Sequence, residues 1–495
     1  MTGSLIPLAI LATSLLPAAA VFLLPPDAHR ARAVLCLGGA TAKVTLVAAL
    51  IPMVAAGERF TIRSPFVPGV DLVLRVEPFG LYFLGLSSVL WLLTTVYALG
   101  YFRGADRLNR FFGFFSLCVA ATSGIALAGN PLTFVIFFEM LTLVTYPLVV
   151  HDGTPAAFRG GRTYLAHTLA GGTALLIGVV WLTAEIGSVD FDERGSPVMT
   201  EFGRENPVAA VSIFMLMLAG LGVKAALVPL HGWLPRAMVA PAPVSALLHA
   251  VAVVKAGVFG VVLLVDYIFG VELAAELGLL TPLAVLAGFT IIYGSVQALR
   301  QDGLKARLAY STVSQVSYVV LGVATTSVLA TTGGIAHIVN QGIMKITLFF
   351  CAGAFATVLG VSKVSELDGV GRRMPVISAA FTIAAVGMVG IPPLAGFLSK
   401  WYLASGAVDA DAAWVLGVLV LSSLLNALYF FPVIGRLWWR DGTVGPRTAG
   451  LEGPATLVVP TAVTAVLVLG IGVFAGWIYS PLELARLITE GIYGL

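Results

Sequence analysis

Read from the first residue, apolar stretches of about 20 residues recur to the end of the chain, and polar positions gather in short groups between them. Stretches of this length suit helices that cross a bilayer, and no run of alternating positions suggests a barrel. Spans are predicted over 5–23, 32–53, 78–99, 111–128, 131–150, 163–185, 208–229, 241–265, 273–299, 311–329, 333–359, 376–405, 413–438 and 455–479, fourteen in all. Two carry helix breakers. Gly220 and Gly222 stand beside Lys224 in 208–229, with Pro229 near its end. Pro392 and Pro393 interrupt 376–405 just before Gly396 and Lys400. Proline removes a donor and clashes with the preceding turn, so breaks are expected at both places. Val211 to Asp266 holds two spans around a proline- and tryptophan-bearing turn, Pro229 to Pro243, and the unusual polar residues gather there.

Composition makes the membrane assignment firm. The chain is 59% hydrophobic and 11% charged, with a mean hydropathy of +0.98. A soluble domain carries about 25% charged residues to face water. The fold class expected is therefore an all-α polytopic membrane protein. A net charge of +3 without a basic run excludes a nucleic-acid arm. Cys36, Cys118 and Cys351 stand alone in apolar segments, with neither disulfide nor metal spacing. Leu5 to Leu23 has no basic residue before it and reads as a first span rather than a signal peptide. No phosphate loop or dinucleotide glycine pattern occurs, and the longest polar stretch, 186–206, is too short to fold alone. No cofactor and no metal site are expected.

The basic residues give an orientation. If the first loop is cytoplasmic, alternate loops hold seventeen arginines and lysines, from Arg30 and Arg32 through Arg236, Arg300 and Arg307 to Arg436, Arg440 and Arg447. The opposite loops and tail hold six: Arg59, Arg63, Arg75, Arg194, Arg204 and Arg486. They also hold the acids Asp190, Asp192, Glu193, Glu201 and Glu205. This bias follows the positive-inside rule and puts both termini outside the cytoplasm. A cell inner (cytoplasmic) membrane, multi-pass location is expected.

Five lysines remain inside spans: Lys43, Lys224, Lys255, Lys345 and Lys400. A charge at the bilayer centre costs ~3 kcal/mol or more, so a chain that keeps several has a use for them. Glu139 reads as the only carboxylate in the middle of a span. It is either a neutral structural acid bonded to backbone or a proton carrier coupled to a lysine. Burial disfavours ionised forms and an opposite charge restores them, so alternating acids and bases with water between them make a proton relay. Snorkelling is the plain alternative for Lys400, and a structural role is equally open for Lys43. His249 lies six residues before Lys255, and a histidine titrates near neutrality. His337 precedes Lys345 by eight residues, about two turns, with Asn340 and Gln341 between them. His151 and His231 fall at loop edges. Ser311 to Val319 carries five hydroxyls and a glutamine, which either line a wet cavity or bond helix to helix.

These segments resemble a known family. FFEMLTLVTYPLVV, GVKAALVPLHGWLPRAMVAPAPVSALLHAVAVVKAG, STVSQVSYVVLG, HIVNQGIMKITLFF and GIPPLAGFLSKWYL are similar to the antiporter-like subunits of respiratory complex I and of Mrp-type multisubunit cation/proton antiporters. The resemblance covers about residues 70 to 440, and in length and wording is nearest to the D-type member of the Mrp antiporters. It implies fourteen helices built around two inverted five-helix repeats, each with a broken helix. The repeats would be 111–265 and 273–438, flanked by helices in 1–110 and a C-terminal helix and tail in 439–495. It implies that Glu139 pairs with Lys224, that Lys255 leads inward, that His337 and Lys345 continue the axis, and that Lys400 ends it; His249, by its spacing, leads inward with Lys255. One complex I homologue has a glutamate at this last position, and the lysine argues against that branch.

The implied function is proton translocation in a monovalent cation (Na+)/H+ antiporter, with other integral membrane subunits, membrane lipid, protons and the cation as partners. The alternatives are a proton-pumping subunit of a complex I-like oxidoreductase or a membrane-bound hydrogenase, a structural scaffold subunit, and a stand-alone transporter of a small solute.

Overall fold

The computed structural model describes residues 4–442 and 452–495, and Arg447 lies outside the described residues. The chain is a predominantly helical, multi-pass membrane bundle. The first columns are α1 (Ile6–Leu23), α2 (His29–Ala55), α3 (Pro78–Tyr101), α4 (Leu108–Leu127), α5 (Pro131–Val149) and α6 (Pro155–Ile186). A short amphipathic α7 (Pro197–Glu205) precedes α8 (Pro207–Lys224). The turn after it winds through a 3-10 segment and α9 (Trp233–Arg236) into α10 (Ala242–Ala250) and α11 (Val253–Val262). A π-helical turn, Leu263–Phe269, continues α11 and leads to α12 (Val271–Glu276). There follow α13 (Leu280–Leu299), α14 (Leu304–Ala324), α15 (Val328–Leu359), the short α16 (Val370–Arg373), α17 (Pro375–Val389), α18 (Ala395–Asp409), α19 (Ala413–Trp439), α20 (Ala455–Val473) and α21 (Pro481–Tyr493).

Every predicted span meets a helical column. Twelve columns are long and apolar enough to cross a membrane among the described residues. The other two are α14, diluted by its hydroxyls, and the broken α17–α18 pair. Starts follow local chemistry. Asn130 caps α5 by accepting from the Thr133 amide at 2.8 Å, and Thr154 caps α6 through the Ala157 amide at 3.1 Å. Prolines open α3, α5, α6, α8 and α17, where their missing amide costs nothing.

Both expected breaks are present. α8 stops at Lys224, and α17 and α18 are separated by a turn carrying Pro392 and Pro393. A third break, absent from the sequence reading, divides α10 from α11 at Val251 and Ala252, between His249 and Lys255. It has no proline or glycine at the break. The column from Ala242 to Phe269 is entirely buried within the chain, so neighbouring helices rather than lipid surround its loosened backbone.

A two-stranded antiparallel hairpin, β1 (Phe60–Val67) and β2 (Val70–Val76), fills a loop for which no strand was predicted. Its turn carries Pro68 and Gly69, a dipeptide that signals such a turn. The hairpin binds the acidic 187–206 segment. Arg75 donates to Asp190 at 2.7 Å, Arg63 pairs with the same carboxylate, and Arg59 meets Glu193 at 3.3 Å. At the opposite end Asp302 accepts from Ser365, Arg436 pairs with Asp368 at 2.9 Å, and Lys305 donates to the Ala240 carbonyl. The loops expected to share a membrane face are thus bonded to one another at each end.

Candidate functional site: a row of buried lysines

The two expected broken columns each bring a lysine to main-chain carbonyls, Lys224 to one within α5 and Lys400 to the last ones of α17. Lys224 is the last residue of α8, fully buried, and its ammonium donates to the Phe138 carbonyl while lying 3.4 Å from that residue's ring centre. Lys400 reaches back across the break to the Met388 and Val389 carbonyls at 3.1 and 2.8 Å, and to Ser423 at 3.0 Å. The last carbonyls of a helix have no partner within it and carry partial negative charge, so they suit a cation. Gly390, at φ +95°, makes the turn after α17, and a Cβ there would lie 2.7 Å from the Lys400 stem. Lys400 therefore does not snorkel to the surface.

Lys345 occupies the middle of α15, the long helix against which α3, α10, α14, α17, α18, α20 and α21 pack. It donates to the Leu308 carbonyl at 3.1 Å and to the Ser311 hydroxyl. Lys255 is fully buried, and its nitrogen has no partner among the described residues. It lies next to the Lys224 break, since a Cβ on Gly257 would come within 2.6 Å of the Lys224 carbonyl carbon. His337 is close enough to feel the charges of Lys255, Lys345 and Lys400. Its Nδ1 is 2.7 Å from the Ser399 hydroxyl and its Nε2 has no partner among the described residues. His249 lies within charge range of Lys345, with Nε2 3.2 Å from the Met238 sulfur, Nδ1 free and the ring stacked on Phe349. Lys255, His337, Lys345, Lys400 and His249 thus form one buried cluster, joined to Lys224 through the packing of α11 on α8.

Glu139 differs from expectation in its contacts. It lies within charge range of Lys224 but makes no ion pair with it, and its Oε1 is buried without a partner among the described residues. Space for it comes from α6, where a Cβ on Gly172 would come within 2.8 Å of Oε2. The Ser311 to Val319 segment bonds helix to helix, the second of its expected roles. Ser314 bridges to Ser295 at 2.9 Å and Ser311 serves Lys345, whereas neither polar atom of the Gln315 side chain has a partner among the described residues. Asn340 bonds the Ala395 carbonyl at 2.9 Å, and Gln341 is unpartnered. His151 and His231 stand off the row against aromatic rings. Lys43 is apart from it too, held at 2.5 Å by both Ser14 and Ser123 and 5.3 Å from the Trp91 ring centre.

Sequence reasoning missed one acid. Asp266 is fully buried in the π-helical turn, and neither oxygen has a partner among the described residues. Glu139 is therefore not the only carboxylate within a span. The predicted span ended at 265, one residue short of Asp266; the helical column runs to Phe269. Nearby, Glu77 stands before α3, its side chain 12% exposed. Burial raises its carboxyl to about 7 against the opposing charge of Arg75.

Comparison with known proteins gives the same outline. A family described as NADH:quinone oxidoreductase/Mrp antiporter, TM, matches residues 128–426. An NADH-quinone oxidoreductase subunit N of Desulforudis audaxviator is 34% identical over 442 residues, 86% of this chain and 85% of that protein. The D component of a Na(+)/H(+) antiporter of Bacillus subtilis is 25% identical over 408 residues, covering 82% and 81%. The solved Mrp complex from Dietzia sp. contains a chain that superposes with a TM-score of 0.88 at 24% identity, over 100% of this chain and 98% of that one. That last likeness is one of fold.

Proposed function

This chain belongs to the NADH:quinone oxidoreductase/Mrp antiporter membrane-subunit family, and from that premise we propose that it moves protons across the membrane within a multisubunit monovalent cation/proton antiporter. The observation that carries this reading is the buried lysine cluster. Lys255, Lys345 and Lys400 lie in the bundle interior with no ion pair among the described residues, and with main-chain carbonyls, hydroxyls or nothing as partners. An ammonium kept in low dielectric without a carboxylate gives up its proton readily and takes it back when a neighbour discharges. Lys224 with Glu139 would load the row from one side, and Lys400 would unload it at the other. His249 and His337 would shorten the steps between lysines.

In this reading the arginine-rich end faces the cytoplasm, both termini lie on the other side of a bacterial inner membrane, and 111–265 and 273–438 are inverted five-helix repeats. The partners are further integral membrane subunits, and proton entry drives export of sodium or another monovalent cation. Glu139→Ala or Lys224→Ala should abolish proton-coupled transport, followed with a pH-sensitive dye in vesicles, while the complex remains assembled. Full transport by either variant would sink the mechanism.

The 34% likeness to a subunit N favours a second reading, a proton pump driven by electron transfer in neighbouring subunits. A sodium gradient drives proton flux in the first case and does not in the second, which instead needs an electron donor and quinone.

A further inference from the structure

The buried carboxylate of Asp266 has no part in the lysine row. It is 0% exposed, and both oxygens lack a hydrogen-bond partner among the described residues. A buried acid with a structural task is held by donors; this one has none, and desolvating it without compensation costs several kcal/mol. Its backbone is unusual as well. π-helical turns are rare and frequent at functional sites, and this one occupies Leu263–Phe269 at the end of the column that carries Lys255. Eleven residues separate the two, roughly 16 Å along a helix and too far for direct transfer.

Its surroundings lead outward. Tyr493 on α21 and Tyr267 on the next position lie within charge range of Asp266. The Tyr493 hydroxyl is 3.1 Å from the Thr331 hydroxyl at the start of α15. Tyr267 is also within range of Glu77 and Glu193, and its carbonyl accepts from the Asp192 amide at 3.2 Å. Glu193 is about one-third exposed and paired with Arg59. Acids therefore descend in burial from Asp266 through Glu77 to Glu193 at the arginine-poor end, opposite the basic interior.

Resting on the reading of the chain as a proton carrier, we infer that Asp266 is a proton-exchange site between the Lys255 column and the arginine-poor face, where Glu77 lies beyond Tyr267. Water admitted from that face would carry the proton between Asp266 and the surface acids. An O–H bond forms at the Asp266 carboxylate as a protonated donor loses its own, and the reverse step returns the charge to the acid. No redox change is involved.

The experiment uses vesicles holding the chain with the subunits it assembles with. Asp266→Asn should assemble and lower proton flux by about 100-fold, the usual worth of a positioned acid or base, and Asp266→Glu should restore a substantial part. On a pH jump, difference infrared spectra of the wild type should show a carboxylic-acid C=O band that Asp266→Asn removes and Asp266→Glu shifts. Wild-type flux in an assembled Asp266→Asn complex overturns the inference, as does a C=O band unmoved by Asp266→Glu should the amide prevent assembly. Lys224→Ala in parallel separates the two ideas. If it is inactive while Asp266→Asn is not, the lysine row stands and the exchange site falls; if both are active, the proton-carrier reading falls with it.

Discussion

At Lys224 the ammonium turns from the nearby Glu139 to the Phe138 carbonyl and ring. The acid thereby stays in range as a modulator of charge instead of being consumed in a fixed pair. Its freedom depends on the missing side chain at Gly172. Gly172→Ala should displace the carboxylate and reduce transport by roughly tenfold, about 1.4 kcal/mol, with the thermal midpoint of the purified chain little changed. Glu77 offers a test by pH. Its folded value near 7 lies above the ordinary 4.5, so between those values the folded chain holds a proton that the unfolded chain releases. That contribution to stability is full below 4.5 and is lost as pH rises through 7, on the order of 3 kcal/mol in total. Melting in detergent across that window should slope downward, and Glu77→Gln should flatten the slope. The lysines were legible because each interrupts an apolar run. Asp266 was not, because an acid at the edge of such a run looks the same as one just outside it.

Among elements, the interrupted columns separate what sequence can announce from what it cannot. Pro392 and Pro393 break α17 from α18 by removing amides, and the effect is written in the residue types. The division of α10 from α11 carries no such mark and lies within a wholly buried column. The hairpin hid for a different reason, since its strands are only eight and seven residues long and lie between two much longer apolar runs. Gly390 at φ +95° gives the α17–α18 turn a left-handed residue. Gly390→Ala should cost about 1–2 kcal/mol from the left-handed backbone alone and push Lys400 from its carbonyls. A lowered melting point together with impaired transport is expected. Loss of stability with intact transport would mean that the Lys400 contacts are dispensable.

Across the whole molecule, the two ends are distinct in charge and each is bonded into a unit. The three cysteines are buried, so single cysteines introduced at exposed positions report sidedness on a silent background. Arg300→Cys should react with a membrane-impermeant maleimide only from the cytoplasmic face and Glu205→Cys only from the other. Labelling of both from one face would refute the proposed topology. The number of columns and the charge bias needed only composition and spacing. Bringing Lys224, Lys255, Lys345 and Lys400 together from separate spans needed the fold.

Four main-chain carbonyls, those of Phe138, Leu308, Met388 and Val389, solvate three of the buried ammonium groups. Such a solvent cannot be mutated away: every residue type brings the same carbonyl, and only a change in backbone path removes it. An alanine scan around the row should therefore find the lysines sensitive and most of their immediate neighbours tolerant. The sequence around each lysine can drift while the local dielectric that sets its behaviour is inherited unchanged.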